Sequence, residues 1–263
     1  MKPYPDYTAV SFYRNNVSTT NYQGLAFSIR QRMSRGLTYS AAYTRSKLTD
    51  IASSVFDASI LTGPLTNAAV ADSHNLERDR DYSTGDIPHY FAASVVWDLP
   101  VGQGRAKYPR GVLGALANDW SVAIFMTMQS GVPVAVTQAN SLGYAGFTTQ
   151  RPNLVGDPTL PADEQTPDHW FNTAAFATAN QFTIGSASRN PVRGPTYHDV
   201  DLAVMRNVRL AGERAIELRL EVFNLFNTAN FGAPAAQLGP ASFGTITTAL
   251  DPMVVQLAAK FWF

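Results

Sequence analysis

Met253-Val254-Val255-Gln256-Leu257-Ala258-Ala259-Lys260-Phe261-Trp262-Phe263 is the stretch whose reading decides the fold. Met253, Val255, Leu257, Ala259, Phe261 and Phe263 share one face at the period of a strand, and Val254, Gln256, Ala258, Lys260 and Trp262 share the other. The first face carries no polar side chain and finishes in two aromatics. Chain ends tend to lie in water and fray, so this pattern asks for an apolar surrounding. Two environments supply one. The strand either meets lipid on one face and a polar lumen on the other, with its aromatics at the membrane interface, or closes a soluble β-sandwich as a buried terminal strand.

The same alternation recurs upstream. Leu25, Phe27 and Ile29 oppose Ala26, Ser28 and Arg30; after a short turn at Ser34-Arg35-Gly36, Leu37, Tyr39, Ala41 and Tyr43 oppose Thr38, Ser40, Ala42 and Thr44. This predicts a hairpin with one apolar face. Further apolar faces fall on Phe91, Ala93, Val95, Trp97 and Leu99, on Trp120, Val122, Ile124, Met126 and Met128, and on Val200, Leu202 and Val204. After a turn at 211–214, Ile216, Leu218, Leu220 and Val222 oppose Glu217, Arg219 and Glu221, and a weaker strand pattern lies at Tyr7–Arg14. The apolar period within these segments is two, not 3.6, so helices are expected only as short pieces in loops, as near Thr166–Phe176.

Connections alternate between tight and long. Those near 34–36 and 211–214 are short, whereas 48–88, 137–197 and 227–252 are long and rich in Pro, Gly, Asn, Ser and Thr. Short turns on one side of a membrane and long loops on the other are the habit of outer-membrane barrels. The connection Val101–Asn118 departs from it, being long where a short turn is expected. The sequence therefore predicts an all-β fold, an antiparallel up-and-down transmembrane β-barrel segment.

Composition narrows function. The chain has 263 residues, zero formal net charge, 15% charged residues and 11% aromatics, with a mean hydropathy of −0.10. Zero net charge gives no electrostatic ground for nucleic-acid binding, and no run approaches the roughly 18 apolar residues of a membrane helix. Without cysteine there are no disulfides, zinc–thiolate sites or thiol nucleophiles. The start, Met1-Lys2-Pro3-Tyr4-Pro5-Asp6, lacks the apolar core of a signal peptide. An exported protein needs one, so the expectation is a C-terminal piece of a longer protein.

Several segments resemble the C-terminal barrel of TonB-dependent outer-membrane receptors, nearest to the Oar-like branch that carries a carboxypeptidase-regulatory-like domain. They are Asn21-Tyr22-Gln23-Gly24-Leu25, Leu99-Pro100-Val101-Gly102-Gln103-Gly104-Arg105, Trp170-Phe171-Asn172 with Ala175-Phe176, and Arg189-Asn190-Pro191-Val192-Arg193-Gly194-Pro195 leading into Asp201-Leu202. Glu221-Val222-Phe223-Asn224-Leu225-Phe226-Asn227, Asn230-Phe231-Gly232 and Phe243-Gly244-Thr245-Ile246-Thr247 complete the series. The tail is similar to the assembly signal of bacterial outer-membrane proteins, carried here by Val255, Leu257, Phe261 and Phe263. The resemblance implies a plugged barrel of about twenty-two strands, a place in the cell outer membrane, and ligand uptake driven through TonB. It covers residues 1–263 as one barrel segment, with plug, TonB-box region and signal peptide absent. Expected partners are outer-membrane lipid, the barrel-assembly machinery, and TonB only through the missing plug region. Two other readings stay open: a small self-closing barrel acting as porin or adhesin, and a soluble carbohydrate-binding β-sandwich with Trp170 or Trp120 as platform.

No catalytic constellation emerges, and the sequence is read as a non-enzyme with no cofactor. His74, His89, His169 and His198 lack metal-ligand spacing. Asp157, Asp163 and Glu164 do not follow a calcium-loop pattern. Glu77-Arg78-Asp79-Arg80-Asp81 reads as a solvated, self-paired loop. Trp170, Phe171, Phe176 and Phe182 form a candidate ligand-contact loop, against the alternative that they build that loop's own small core.

Overall fold

Alternating apolar and polar side chains satisfy a strand whose two faces meet different media, and the chain uses them so. The computed structural model describes residues 19–52, 71–72, 75–102, 111, 117–139, 149–210 and 214–263. Its strands are β1 (Thr20–Ser34), β2 (Leu37–Asp50), β3 (Asp81–Tyr82), β4 (His89–Asp98), β5 (Trp120–Gln129), β6 (Pro133–Val134), β7 (Gln138–Ala139), β8 (Thr149–Gln150), β9 (Asn153–Leu154), β10 (Phe176–Ala177), β11 (Val192–Arg193), β12 (Tyr197–Arg209), β13 (Ala215–Phe223) and β14 (Val254–Trp262). The long strands form one antiparallel sheet in the order β1-β2-β4-β5-β12-β13-β14, with β3 beside β2. The weak strand pattern at Tyr7–Arg14, the core of the 211–214 turn and His74 lie outside the described residues.

Pairing in register joins the separate apolar faces into one. Phe27 stands opposite Tyr43 and Ile29 opposite Ala41. Tyr43 then faces Phe91, Tyr39 faces Val95 and Leu37 faces Trp97. Val95 faces Ile124 and Trp97 faces Val122; Ile124 faces Leu202 and Val122 faces Val204. Val204 faces Leu220 and Leu202 faces Val222; Val222 faces Val255, Leu220 faces Leu257 and Ile216 faces Phe261. A slip of one residue at any pair would turn that strand's apolar set to the other side. The opposite face carries Ser40, Ser94, Thr127, Asp199, Asp201, Glu217, Arg219, Glu221 and Gln256. There Ser40 and Ser94 share a hydroxyl hydrogen bond of 2.8 Å.

One end of the sheet has tight turns. Arg35 and Gly36 take positive φ values of 52° and 83° in the β1–β2 turn, and Leu210 N–H donates to Arg214 at the β12–β13 turn. The long 101–118 connection leaves this end through a backbone-bonded neck, with Leu99 N–H donating to Trp120 C=O and Asp119 N–H to Val101 C=O. We call this the turn end and its opposite the loop end. The described residues of 130–139, 149–196 and 224–250 fold together at the loop end, where β6 pairs with β11, β7 with β8 and β9 with β10. The short helix expected near Thr166–Phe176 is a single 3₁₀ turn, Thr173–Ala175.

Candidate functional site

The apolar face is the first functional surface. A soluble protein would leave it as a patch far larger than water tolerates: Leu25, Phe27, Ile29, Trp97, Leu218, Val255 and Leu257 all stay exposed on it. Its turn-end border is aromatic, with Trp97, Trp120, Phe261 and Phe263. The Phe261 and Phe263 rings stack at 5.9 Å, and the Arg206 guanidinium lies 5.4 Å from the Trp120 ring. Amphipathic rings and cations at the margin of an apolar band suit a membrane interface. On the polar face, Arg219 lies between its strand neighbours Glu217, at 2.9 Å, and Glu221, at 3.4 Å. Asp201, on the same face of β12, accepts the Asn224 N–H at 3.0 Å.

The loop module is the second surface. Val136, Phe171, Ala175, Phe176, Ala187 and Val192 form its core, with Leu154, Trp170, Leu238 and Phe243 against them. Phe171, Phe176 and Phe243 meet edge to face, with centroids 5.2–5.8 Å apart, the arrangement that aromatic quadrupoles favour. Close packing sets two glycines. A Cβ on Gly131 would fall 1.8 Å from Gly194 O, and Gly244 has φ 85° with Thr173 packed where a side chain would go.

Three arginine–aspartate pairs clasp this module to the wall. Arg189 pairs with Asp50 at the end of β2, Arg151 with Asp79, and Arg193 with Asp86. All three aspartates are buried. Asn190 adds bonds to the Asp81 carboxylate and the Tyr82 carbonyl. Burial, and then repulsion from Arg189 and Arg78, pushes the Arg151 guanidinium down to about 10. The 77–81 run thus splits. Glu77 and Arg80 pair with each other at the surface, as expected of a solvated loop, whereas Asp79 is buried and engaged by a residue 72 positions away. The segment Arg189–Pro195 is a strap laid across the β2–β4 loop end.

A second clasp fixes the last strand. Asn224 and Asn227 hold left-handed φ values of 50° and 49°. The Asn224 side chain accepts from Thr228 N–H and donates to the Thr228 and Asp251 carbonyls. Asn227 accepts from Met253 N–H, just before β14. Asn230 both accepts from and donates to the His198 backbone. Asparagine tolerates the left-handed region better than other side chains, a signal these positions carried but that the sequence reading passed over.

Of the candidate ligand-contact residues, Phe171 and Phe176 are buried in the module core, and Trp170 is half-buried with its indole N–H donating to Arg193 C=O at 2.8 Å. Phe182 alone of the four is well exposed. Val255, Leu257, Phe261 and Phe263 of the expected assembly signal are all exposed on the apolar face of β14. Among the described residues no group of His, Asp and Glu is placed to hold a metal ion.

An all-antiparallel wall with a lipid-matched outer face, a polar inner face, tight turns at one end and folded loops at the other defines a β-barrel protein of the bacterial outer membrane. Residues 1–256 match the model of the outer membrane beta barrel domain family, and the chain belongs to that family. No curated protein and no solved structure matches it.

Proposed function

We propose that this chain is wall and surface-loop module of a TonB-dependent receptor-like transporter, with its loop end outside the cell. The observation that carries this reading is the pair of free sheet edges. Among the described residues, β1 and β14 each hydrogen-bond to a neighbour on one side only. An unpaired edge in lipid leaves backbone groups unsatisfied at a cost of several kcal/mol each, so both edges call for further strands. In this reading the wall supports ligand passage and does no chemistry, the plug that meets TonB is supplied by sequence outside this segment, and the barrel-assembly machinery takes hold of β14.

The experiment is an immunoblot of native outer membranes with an antibody to the 156–185 loop, combined with cross-linking to TonB in energised cells. The expected band is well above the 28.6 kDa of this chain and cross-links to TonB. A 28.6-kDa outer-membrane band that forms pores without TonB would establish the self-closing barrel instead.

A further inference from the structure

Where the loop module meets the rim of the wall, two guanidiniums are buried within reach of each other's charge. Arg151 and Arg189 keep only 10% and 3% of their side chains exposed. Each spends one nitrogen on its aspartate. Arg151 donates through Nη2 to Asp79, and Arg189 through Nη2 to the Asp50 carboxylate and to the Asp50 and Tyr82 carbonyls. Arg151 Nη1 and Arg189 Nε and Nη1 are buried as well, and they have no hydrogen-bond partner among the described residues. Arg78 brings a third cation from the surface, its Nη2 donating to the Gly185 carbonyl at 2.6 Å and the Ile184 carbonyl at 3.3 Å. Burial first, then Arg189 and Arg78, lower Arg151 to about 10, which leaves it charged at neutral pH. Of the acids nearby, Asp79 and Asp50 are bonded to this group, whereas Asp81 takes only the neutral N–H groups of Tyr82 and Asn190.

We propose that Arg151 and Arg189 hold a small inorganic anion of the chloride class between them, which fastens the loop module to the wall. A buried N–H without an acceptor is costly, and more so on a charged group. The rival occupant is an ordered water, which would bridge Arg189 to Asn190 Oδ1, likewise buried and unpartnered. A water supplies an acceptor but no charge, and the two guanidiniums go on repelling each other. An anion accepts from both and relieves the repulsion, as buried charges require. Packing favours a monatomic ion over phosphate or sulfate. Pro152, next to Arg151, is wholly buried, and a Cβ on Gly185 would fall 2.0 Å from the Arg151 carbonyl oxygen. The proposal depends neither on uptake nor on which end of the wall faces outward.

The test uses the full-length parent extracted from outer membranes in mild detergent, with chloride exchanged for gluconate at constant ionic strength. At chloride roughly ten times its half-saturating concentration, proteolysis of the 149–196 segment should slow about tenfold, since an anion that binds only the closed module lowers the open fraction by that factor. Bromide should replace chloride, and sulfate should not. Arg151→Lys keeps a cation beside Asp79 but removes Nη1, so it should lose the chloride effect. Arg80→Gln, at the surface pair with Glu77, should keep it. Crystals of the unsubstituted protein grown with bromide should show an anomalous peak between the Arg151 and Arg189 side chains, a reading that stands even if Arg151→Lys fails to assemble. Equal cleavage in chloride and gluconate, full chloride protection of Arg151→Lys, or a water in place of the bromide peak would each overturn the proposal.

Discussion

Arg189 of the surface strap donates to Asp50, the last residue of β2 and 139 positions earlier, and both side chains are almost wholly removed from solvent. Removing one partner strands a buried charge, a loss of about 3–5 kcal/mol where such pairs have been broken. Arg189→Ala and Asp50→Ala should each open the 150–196 region to limited proteolysis, while the double substitution should cost less than the sum of the two. Denaturant titration of the detergent-extracted protein, read as a double-mutant cycle, checks it. Strict additivity would show that the pair does not hold the strap.

Asn224 supplies both a left-handed backbone and side-chain hydrogen bonds to the segment before β14. Asn224→Gly keeps the backbone and loses the bonds, whereas Asn224→Ala loses both. With roughly 1 kcal/mol for each bond and a further ~1–2 kcal/mol for a left-handed alanine, the alanine variant should melt lower than the glycine variant, and both below the parent. The temperature at which the electrophoretic mobility of the folded band is lost measures this order. Equal melting of all three would remove the rim asparagines from any fastening role.

Phe263, exposed beside Phe261 at the turn end of β14, should matter to assembly more than to stability. Deleting it in the exported parent is expected to lower outer-membrane levels sharply. Gln256→Ser should leave them near normal, since Gln256 stands opposite Glu221 on the polar face. Quantitative immunoblots of membrane fractions decide, and matching levels for the two variants would refute an assembly signal here.

The chain contains no cysteine, so single-cysteine labelling reads orientation without background. Thr159→Cys, in the exposed loop module, should react with a membrane-impermeant maleimide on intact cells; Ser34→Cys, at the turn end, should react only after lysis. The reverse pattern would invert the orientation proposed for the wall.

The wall was legible because its signal is local. Ile216, Leu218, Leu220 and Val222 announce a face by themselves, and the structure had only to bring that face beside Val255 and Leu257. The loop module was not, because its decisive contacts join distant segments. Nothing within Glu77-Arg78-Asp79-Arg80-Asp81 separates Asp79 from Glu77; burial against Arg151 does. Phe171 and Phe176 were equally open to ligand contact or core packing until Phe243, some seventy positions on, came between the two readings as their partner. Asn224 and Asn227 lie within a segment that carries the resemblance, and their roles depend on Asp251 and Met253 respectively, which only the closed rim brings near.

The strap and the asparagine rim have a consequence for engineering. Surface loops of barrels invite exchange one at a time, as if each were a separate appendage. Here Val136, Phe171 and Val192 of the 130–196 connection share one interior with Phe243 of the 224–250 connection, and Arg151, Arg189 and Arg193 anchor it to aspartates outside it. A graft of any single loop would leave half an interior and an orphaned charge. Transplanting surface recognition onto another barrel would require residues 130–196 and 224–250 to move as one cassette, together with Asp50, Asp79 and Asp86 as its sockets.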